Sequence, residues 1–160
     1  MLDISRGVQF LHSFGIIHRD MKSLNLLVTQ AYRIKVSDFG SARVSHEQGF
    51  NTGCCGTYQW MAPEVIASQR YSHSADIYSF AIVMWEIVHV APPFANANPT
   101  QVAMQVIHQH LRPTLDRKVP PPLRQLMQQS WHPDPTRRPC AEQVTSTLEK
   151  LVQNARQFKK

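Results

Sequence analysis

The sequence lacks a long hydrophobic run. Its apolar run from Ala81 to Trp85 is far too short to span a bilayer. The first residues, Met1 to Arg6, contain no apolar stretch of the kind that forms the centre of a secretory signal. We therefore expect neither a membrane segment nor a secretory signal in this chain.

Cysteine is scarce, because the chain contains only Cys54, Cys55 and Cys140. These three residues lack the spacing of zinc ligands, and adjacent cysteines such as Cys54 and Cys55 rarely form a relaxed disulfide with each other. A chain without a disulfide framework suits a reducing compartment. We therefore expect a cytoplasmic location.

An extended basic cluster is also absent, although the formal net charge is +6. No basic run is longer than the pairs Arg137-Arg138 and Lys159-Lys160, whereas nucleic-acid-binding proteins concentrate positive charge in a patch or stripe. We therefore expect no nucleic-acid partner. The apolar content of 42% is ordinary for a globular protein, and 160 residues suit one domain with its own core.

The first part of the chain alternates between one helix and short apolar strands. Apolar residues recur at helical spacing from Leu2 to Ser13, which predicts a helix that ends at Gly15. Ile16-Ile17 is a short strand candidate, and Leu26 to Val28 and Ile34 to Val36 are two more. The last two strands are close enough in sequence to form a hairpin.

The remaining sequence predicts a loop followed by helices. Ser41 to Cys55 is polar and lacks periodicity, which indicates a loop. A helix from about Asp76 to Val90, capped by Ser74, is apolar on all sides and should therefore be buried. Further helices are expected after Asn98 and after Pro120-Pro121-Pro122, and a last one near the C-terminus. The apolar positions that characterise these helices are Ile77, Phe80, Met84, Ile87, Val102, Val106, Ile107, Leu123, Leu126, Met127, Val144, Leu148 and Leu151.

A polar stretch next to the predicted hairpin has the residue types that handle phosphate. It reads His18-Arg19-Asp20-Met21-Lys22-Ser23-Leu24-Asn25, and Asp38 follows the second hairpin strand. The hairpin brings Asn25 and Asp38 close together, and hard cations such as Mg²⁺ prefer carboxylate and amide oxygens combined with substrate phosphates. Alternatively, Asn25 and Asp38 are turn formers, which is a common use of both residue types.

Four motifs occur in the order that is typical of protein kinases. H-R-D-x-x-x-x-N at His18 to Asn25 is followed by D-F-G at Asp38 to Gly40. A-P-E then occurs at Ala62 to Glu64, and W-x-x-D-P-x-x-R-P at Trp131 to Pro139. The chain therefore resembles the C-terminal lobe of a eukaryotic protein kinase over nearly its whole length.

The resemblance implies an α+β, protein-kinase-like fold. Residues 1–152 would form a predominantly helical lobe with short strands around the catalytic loop, and residues 153–160 a polar tail that frays. The sequence contains no glycine-rich loop, no strand lysine and no glutamate helix, which belong to the N-terminal lobe of a kinase. We expect that lobe in the full protein, and we expect the isolated chain to bind ATP poorly.

Three details resemble serine/threonine kinases of the tyrosine-kinase-like group, which includes the Raf and mixed-lineage kinases. These are Lys22 after Asp20, Thr57 in the activation segment, and Trp60-Met61 before the A-P-E motif. The implied reaction is transfer of the γ-phosphate of ATP to a serine or threonine hydroxyl of a protein substrate. The alternatives are a truncated, non-catalytic kinase-lobe interaction module and a basic binding protein unrelated to kinases.

The resemblance also implies catalytic and metal-binding roles. Asp20 would accept or orient the proton of the substrate hydroxyl, and Lys22 would reach the transferred phosphoryl group. Asn25 and Asp38 would hold the Mg²⁺ ions. This division suits phosphoryl transfer, in which catalysis consists mainly of positioning and electrostatic stabilisation.

For the nucleotide, the resemblance implies that Leu27 and Ser37 belong to the ATP site, with Leu27 as a floor under the adenine ring. Phe39, followed by Gly40, would pack as a switch against His18, which we interpret as a buried structural histidine. Leu27 and Phe39 are alternatively ordinary core residues, and both uses are compatible.

In this family Arg19 can pair with a phosphate on the activation loop, since a phosphate can order a loop by bonding arginine. Thr52 is the preferred phosphorylation candidate, Ser45 and Ser41 are lesser ones, and Thr57 belongs to the same activation or substrate segment. Alternatively, these are plain polar loop residues.

Three further positions are assigned structural roles by the resemblance. Asp76 would bond the backbone of the catalytic loop, and Arg138 would pair with Glu64 below the activation segment. Without the resemblance, Asp76 is simply an acidic residue near a helix start, where the helix dipole favours it.

Overall fold

The computed structural model describes residues 1–44 and 58–157. The helices are α1 (Leu2–Ser13), α2 (Pro63–Ile66), α3 (Ser74–His89), α4 (Pro99–His108), α5 (Pro121–Ser130) and α6 (Ala141–Gln157). The strands are β1 (Ile16–Ile17), β2 (Leu26–Val28), β3 (Ile34–Val36) and β4 (Arg43–Val44). Short 3₁₀ turns occur at Ser23–Asn25, Phe39–Ser41 and Pro135–Arg137. The described residues are thus mostly helical with a few short strands, which confirms the predicted fold class.

The strands form two separate antiparallel pairs. In the predicted hairpin, Leu26 of β2 lies opposite Val36 of β3. The second pair joins β1 to β4, with Ile16 opposite Val44. The prediction of a loop from Ser41 onward is wrong for β4, because a two-residue strand has no periodicity and forms only by pairing with a segment distant in sequence.

The core is organised around α3. Ten consecutive residues of this helix, from Ala75 to Met84, are buried, as expected for a helix that is apolar on all sides. The helix begins at Ser74 rather than Asp76, and its N-cap is His73, which makes no side-chain capping bond, so the assignment of Ser74 as the cap is wrong. Ile87 is 44% exposed, because the last turn of α3 extends beyond the core. Within residues 1–44 and 58–157, no helix is long and apolar enough to cross a membrane.

Helix α1 packs on α6 and on the hairpin that follows it. Ile4 and Val8 are buried on the predicted apolar face of α1. The helix approaches the hairpin so closely that a Cβ at Gly7 would lie 3.1 Å from Val36 Cγ2. A larger side chain at Gly7 would therefore push β3 away, and this close contact fixes the hairpin that carries part of the candidate site.

Two of the later helices begin with side-chain to backbone bonds. Helix α4 begins after Asn98 as predicted, and Asn98 caps it, because its Oδ1 accepts from the N–H groups of Thr100, at 2.9 Å, and Gln101, at 3.3 Å. At the start of α6 the N–H of Cys140 donates to Oε1 of Gln143 at 2.9 Å, which satisfies one of the free donors of the helix end. Helix α6 continues to Gln157, so the first part of the segment predicted to be a fraying tail is helical.

Candidate active site

The backbone of the polar stretch at residues 18–25 is held from below by α3. Asp76, buried in the first turn of that helix, accepts the His18 N–H at 2.8 Å on Oδ2 and the Arg19 N–H at 2.9 Å on Oδ1. Arg19 has a φ of 70°, which is uncommon for any residue except glycine. Such a conformation persists where surrounding contacts fix it, and Asp76 supplies two of these contacts, to the N–H of the strained residue and to the N–H of the residue before it.

The buried ring of His18 joins the polar stretch to the end of the hairpin. Its Nδ1 accepts from the N–H of Asp20 at 3.3 Å, so the ring hydrogen lies on Nε2, which donates to the carbonyl of Ser37 at 2.9 Å. The ring of Phe39 lies edge-on to the imidazole, with 5.4 Å between centroids. Both nitrogens are therefore used within the protein, which fits a structural histidine and leaves no lone pair for a metal.

The carboxylate of Asp20 is oriented through one of its two oxygens. Oδ2 accepts from Lys22 Nζ at 2.6 Å and from Asn25 Nδ2 at 3.0 Å. The same amide nitrogen also donates to the main-chain carbonyl of Asp20 at 2.8 Å. No donor among residues 1–44 and 58–157 forms a hydrogen bond with Oδ1 of Asp20. Within this part of the chain, Oδ1 is therefore held in place and open to a further donor.

Asn25 and Asp38 lie at the same end of the hairpin, one before β2 and one after β3. Ser37 ties this end together, because its N–H and its hydroxyl both donate to the carbonyl of Asn25 at 2.9 Å. Asp38 has a φ of 63° and accepts the Gly40 N–H at 3.3 Å. A Cβ at Gly40 would lie 3.3 Å from Oδ1 of Asp38, so a larger residue would crowd this carboxylate.

The donor set at this end of the hairpin fits a magnesium ion. The amide nitrogen of Asn25 is bound to Asp20, which leaves the amide oxygen for a cation beside the carboxylate of Asp38. Among the described residues, no group of three or more His, Cys, Asp or Glu side chains could hold a metal. A small number of protein oxygens is enough for Mg²⁺, because this ion retains waters and completes its coordination shell with substrate phosphates.

The two predicted apolar site residues are exposed. Leu27 is 57% exposed on β2 and Phe39 is 50% exposed beside the hairpin. The alternative that they are ordinary core residues is therefore wrong. Phe39 retains the ring contact with His18, and the remaining surface of both side chains is available to an apolar part of a ligand.

The predicted regulatory residues lie mostly outside the described residues. This applies to Thr52, Thr57 and Ser45, so their roles stay predictions from the sequence. Arg19 is described, and its guanidinium carbon lies 5.5 Å from the centroid of the Tyr71 ring, within range of a cation–π interaction.

The ion pair between Arg138 and Glu64 is buried and fully bonded. Nη1 and Nη2 donate to the two carboxylate oxygens at 2.6 and 2.8 Å. The other donors reach the carbonyls of His132, Ser74 and Pro133. All five N–H groups of the guanidinium are thereby used, and the pair joins α2 to the start of α3 and to the segment before α6.

Sequence analysis missed two histidines beside Asp76. His12 Nε2 lies 2.9 Å from Oδ2 of Asp76, the oxygen that also binds the loop backbone. The ring of His73 lies 4.6 Å from that of His12, and burial together with the neighbouring imidazole lowers the pKa of His73. His12 follows Val8 by four positions and so lies on the buried face of α1, which is the signal that could have identified it.

Glu86 is the other residue that sequence analysis missed. It lies near the end of α3 and accepts hydrogen bonds from Ser23 of the polar stretch and from the Trp60 indole. Burial raises the pKa of its carboxyl group, partly offset by these two donors. The available signal was a second acid, far from the helix start that favours Asp76, in an otherwise largely apolar helix.

The chain matches a known family and several curated proteins. The family model described as protein kinase domain matches residues 1–148. Serine/threonine-protein kinase STY17 of Arabidopsis thaliana is 42% identical over 151 residues, which are 94% of this chain and 26% of that protein. Serine/threonine/tyrosine-protein kinase HT1 of the same organism is 42% identical over 149 residues, 93% of this chain and 38% of that protein. Probable serine/threonine-protein kinase drkA of Dictyostelium discoideum is 39% identical over 153 residues, 94% of this chain and 24% of that protein. The chain thus spans about a quarter to two fifths of the length of these relatives.

Proposed function

The chain belongs to the protein kinase family, with serine/threonine kinases as its relatives, and from this premise we propose a specific reaction and specific residue roles. Residues 1–152 form the C-terminal lobe of a kinase that transfers the γ-phosphate of ATP to a serine or threonine hydroxyl of a protein substrate. The chain is similar to kinases of the tyrosine-kinase-like group, to which the Raf and mixed-lineage kinases belong.

The observation that carries this proposal is the half-bonded carboxylate of Asp20. Lys22 and Asn25 hold Oδ2, and Oδ1 is open. A substrate hydroxyl that donates to Oδ1 is oriented for attack, and its proton has an acceptor as the bond to phosphorus forms. The ammonium of Lys22 lies beside the same place, where it stabilises the negative charge of the transferred phosphoryl group.

We assign the cation and nucleotide contacts to the end of the hairpin. The amide oxygen of Asn25 and the carboxylate of Asp38 would hold Mg²⁺, which when bound neutralises the phosphate charge. Ser37 acts as the tie that keeps these two residues side by side. The exposed side chain of Leu27 offers an apolar surface to the adenine ring.

Regulation by a loop phosphate is a further part of the proposal. A phosphate on Thr52 would compete with the Tyr71 ring for the guanidinium of Arg19, since a phosphate forms stronger, charge-assisted bonds. Replacement of Thr52 by alanine should then lower the activity of the complete kinase. Unchanged activity of Thr52→Ala would exclude this site.

The ATP phosphates also need groups that cover them from the opposite side. The 160 residues contain no glycine-rich loop and no strand lysine before the catalytic loop. We propose that sequence outside these residues supplies that second lobe, and that the lobe described here binds ATP poorly without it.

The experiment begins with sequencing of the native transcript upstream of Met1 and expression of the complete reading frame. Magnesium-dependent transfer of labelled phosphate from ATP to the serine and threonine residues of casein is then measured. We expect transfer by the wild type, its loss in Asp38→Ala, and wild-type transfer in Asp116→Ala, which removes an exposed acid remote from the site. A complete domain that transfers no phosphate would support the non-catalytic module instead.

A further inference from the structure

Glu86 connects two segments that the catalytic residues alone do not join. Its Oε1 accepts from the hydroxyl of Ser23 at 2.9 Å, and its Oε2 accepts from the Trp60 indole N–H at 2.7 Å. Ser23 begins the 3₁₀ turn after Lys22, and Trp60 precedes α2. These donors are 63 and 26 positions from Glu86 in sequence, so only the packing of α3 brings them to one carboxylate.

The environment of Glu86 favours a positional role over a simple surface charge. No arginine, lysine or histidine among the described residues forms an ion pair with it. A partly buried carboxylate without a cation loses hydration energy, and only its hydrogen bonds offset that loss. The burial that raises its pKa is thus the cost of holding this group where it reaches both donors.

Each donor leads directly to a part of the candidate site. Ser23 follows Lys22, whose ammonium binds Asp20 at 2.6 Å. On the other side, Trp60 is followed within four residues by Glu64, which the buried pair with Arg138 anchors to the core. A displacement of either segment relative to the other would therefore break a bond to Glu86.

We propose that Glu86 is a positioning residue that holds the catalytic loop and the segment before α2 in one fixed arrangement. Its side chain transmits a displacement of Ser23 to Trp60, and a displacement of Trp60 to Ser23. No hydrogen bond joins Ser23 and Trp60 directly within the described part of the chain, so the connection runs through Glu86. The catalytic consequence rests on the proposed kinase function, whereas the coupling itself does not.

The coupling is tested first on the 160-residue chain. The indole N–H signal of Trp60 is recorded by ¹H–¹⁵N NMR and assigned by its loss in Trp60→Phe, because Trp85 and Trp131 give the other indole signals. We expect Ser23→Ala to shift the Trp60 signal, although Ser23 makes no bond to the indole. Ser13→Ala is the matched control, since the exposed hydroxyl of Ser13 bonds the carbonyl of Phe10 in the last turns of α1, and it should leave the signal unchanged.

The role of the carboxylate is separated from that of its charge by two substitutions. Glu86→Leu removes both acceptors, and the Ser23→Ala shift of Trp60 should then vanish. Glu86→Gln retains an acceptor for the indole and an N–H₂ that can donate to the serine oxygen, so it should preserve the coupling. If Ser23→Ala leaves the Trp60 signal in place, or if the shift survives in Glu86→Leu, the proposal is wrong. Should Glu86→Leu fail to fold, the Ser23→Ala and Glu86→Gln results decide it.

In the complete kinase, loss of two hydrogen bonds to a carboxylate should lower kcat/KM for the protein substrate about tenfold to a hundredfold in Glu86→Leu. The KM for ATP should stay unchanged, and Glu86→Gln should restore most of the loss. A smaller fraction of active protein would instead lower the apparent kcat and leave the KM values for ATP and for the protein substrate unaltered. That result would show a merely structural role. Absence of any kinase activity would refute the proposed function, while the NMR result would still decide the coupling.

Discussion

Two ion pairs in this molecule share a closest N···O distance of 2.6 Å and differ in almost everything else. In the polar stretch at residues 18–25, the side chains of Lys22 and Asp20 are 16% and 20% exposed. In the pair below α2, those of Arg138 and Glu64 are 0% and 6% exposed. Distance alone therefore does not reveal what an ion pair contributes.

The difference lies in how many bonding positions are filled. The guanidinium of Arg138 uses all five of its N–H groups, and both oxygens of Glu64 are bonded, so this pair can only hold its surroundings together. Within residues 1–44 and 58–157, one oxygen of Asp20 stays open beside a lysine, which leaves room for a further hydrogen-bond donor. A saturated pair thus has no position left for a ligand, whereas a half-filled pair retains one.

The largest effect is expected for Asp20→Asn in the complete kinase, which tests whether the half-bonded carboxylate is needed for catalysis. The substitution keeps the shape of the side chain but removes the proton acceptor, and general-base catalysis is worth about 10²–10⁴-fold in rate. We therefore expect kcat to fall by about that factor, with little change in the midpoint of thermal unfolding. Asp116→Asn serves as the control and should retain wild-type kcat. A kcat for Asp20→Asn within tenfold of the wild type would contradict the assigned role.

The buried pair is broken by Arg138→Met, measured by urea unfolding of the 160-residue chain. Loss of one partner leaves an unpaired buried carboxylate, which costs roughly 3–5 kcal/mol of unfolding free energy. The neighbouring Arg137→Met removes the same charge from an exposed position and should cost far less. Adding Glu64→Leu to Arg138→Met should recover part of the loss, because the unpaired charge is then gone. Equal stabilities of the two single variants would refute the distinction.

A third pair, between Asp3 and Arg33, should give the smallest effect. The guanidinium of Arg33 and the N–H of Ile34 bind Asp3 and hold the pKa of its carboxyl group at about 2, below the ordinary 3.8. Because Arg33 is largely exposed, Asp3→Asn should cost about 1 kcal/mol or less, and less again in high salt.

The pH dependence of this small effect has a definite sign. A carboxyl group with a lowered pKa in the folded state stabilises the protein above its unfolded pKa, and loses that contribution as the pH falls toward the folded pKa. The stability difference between wild type and Asp3→Asn should therefore be complete above about pH 4 and disappear as the pH approaches about 2. Glu149→Gln, in the exposed pair with Arg6, is the comparison and should have a smaller effect still. A difference that grows on acidification would contradict this account.

Local patterns in the sequence were sufficient for much of the fold. The helical spacing in α1, the start of α4 after Asn98 and the hairpin of β2 and β3 all depend on neighbouring residues, and the structure confirms them. Strand β4 was missed because it pairs with β1, which is distant in sequence, and the start of α3 was placed late because Ser74 looked like a cap.

The candidate site was predictable in its inventory and less so in its geometry. The motifs identified Asp20, Lys22, Asn25 and Asp38, whose catalytic and metal-binding roles stay predictions. The sequence did not show that the amide of Asn25 donates to Asp20, nor that Leu27 is exposed. Both facts depend on side-chain directions at the end of the hairpin, which residue spacing does not encode.

The sequence by itself determined which chemical groups this protein carries and the family to which it belongs, because short motifs record residue types and their order. Only the tertiary structure decided which of these groups meet. Asp76 and Glu86 lie ten residues apart on α3, yet one fixes the backbone of His18 and the other binds Ser23. Their partners are separated from them by some sixty positions, and it is the burial of one apolar helix in the core that brings them together.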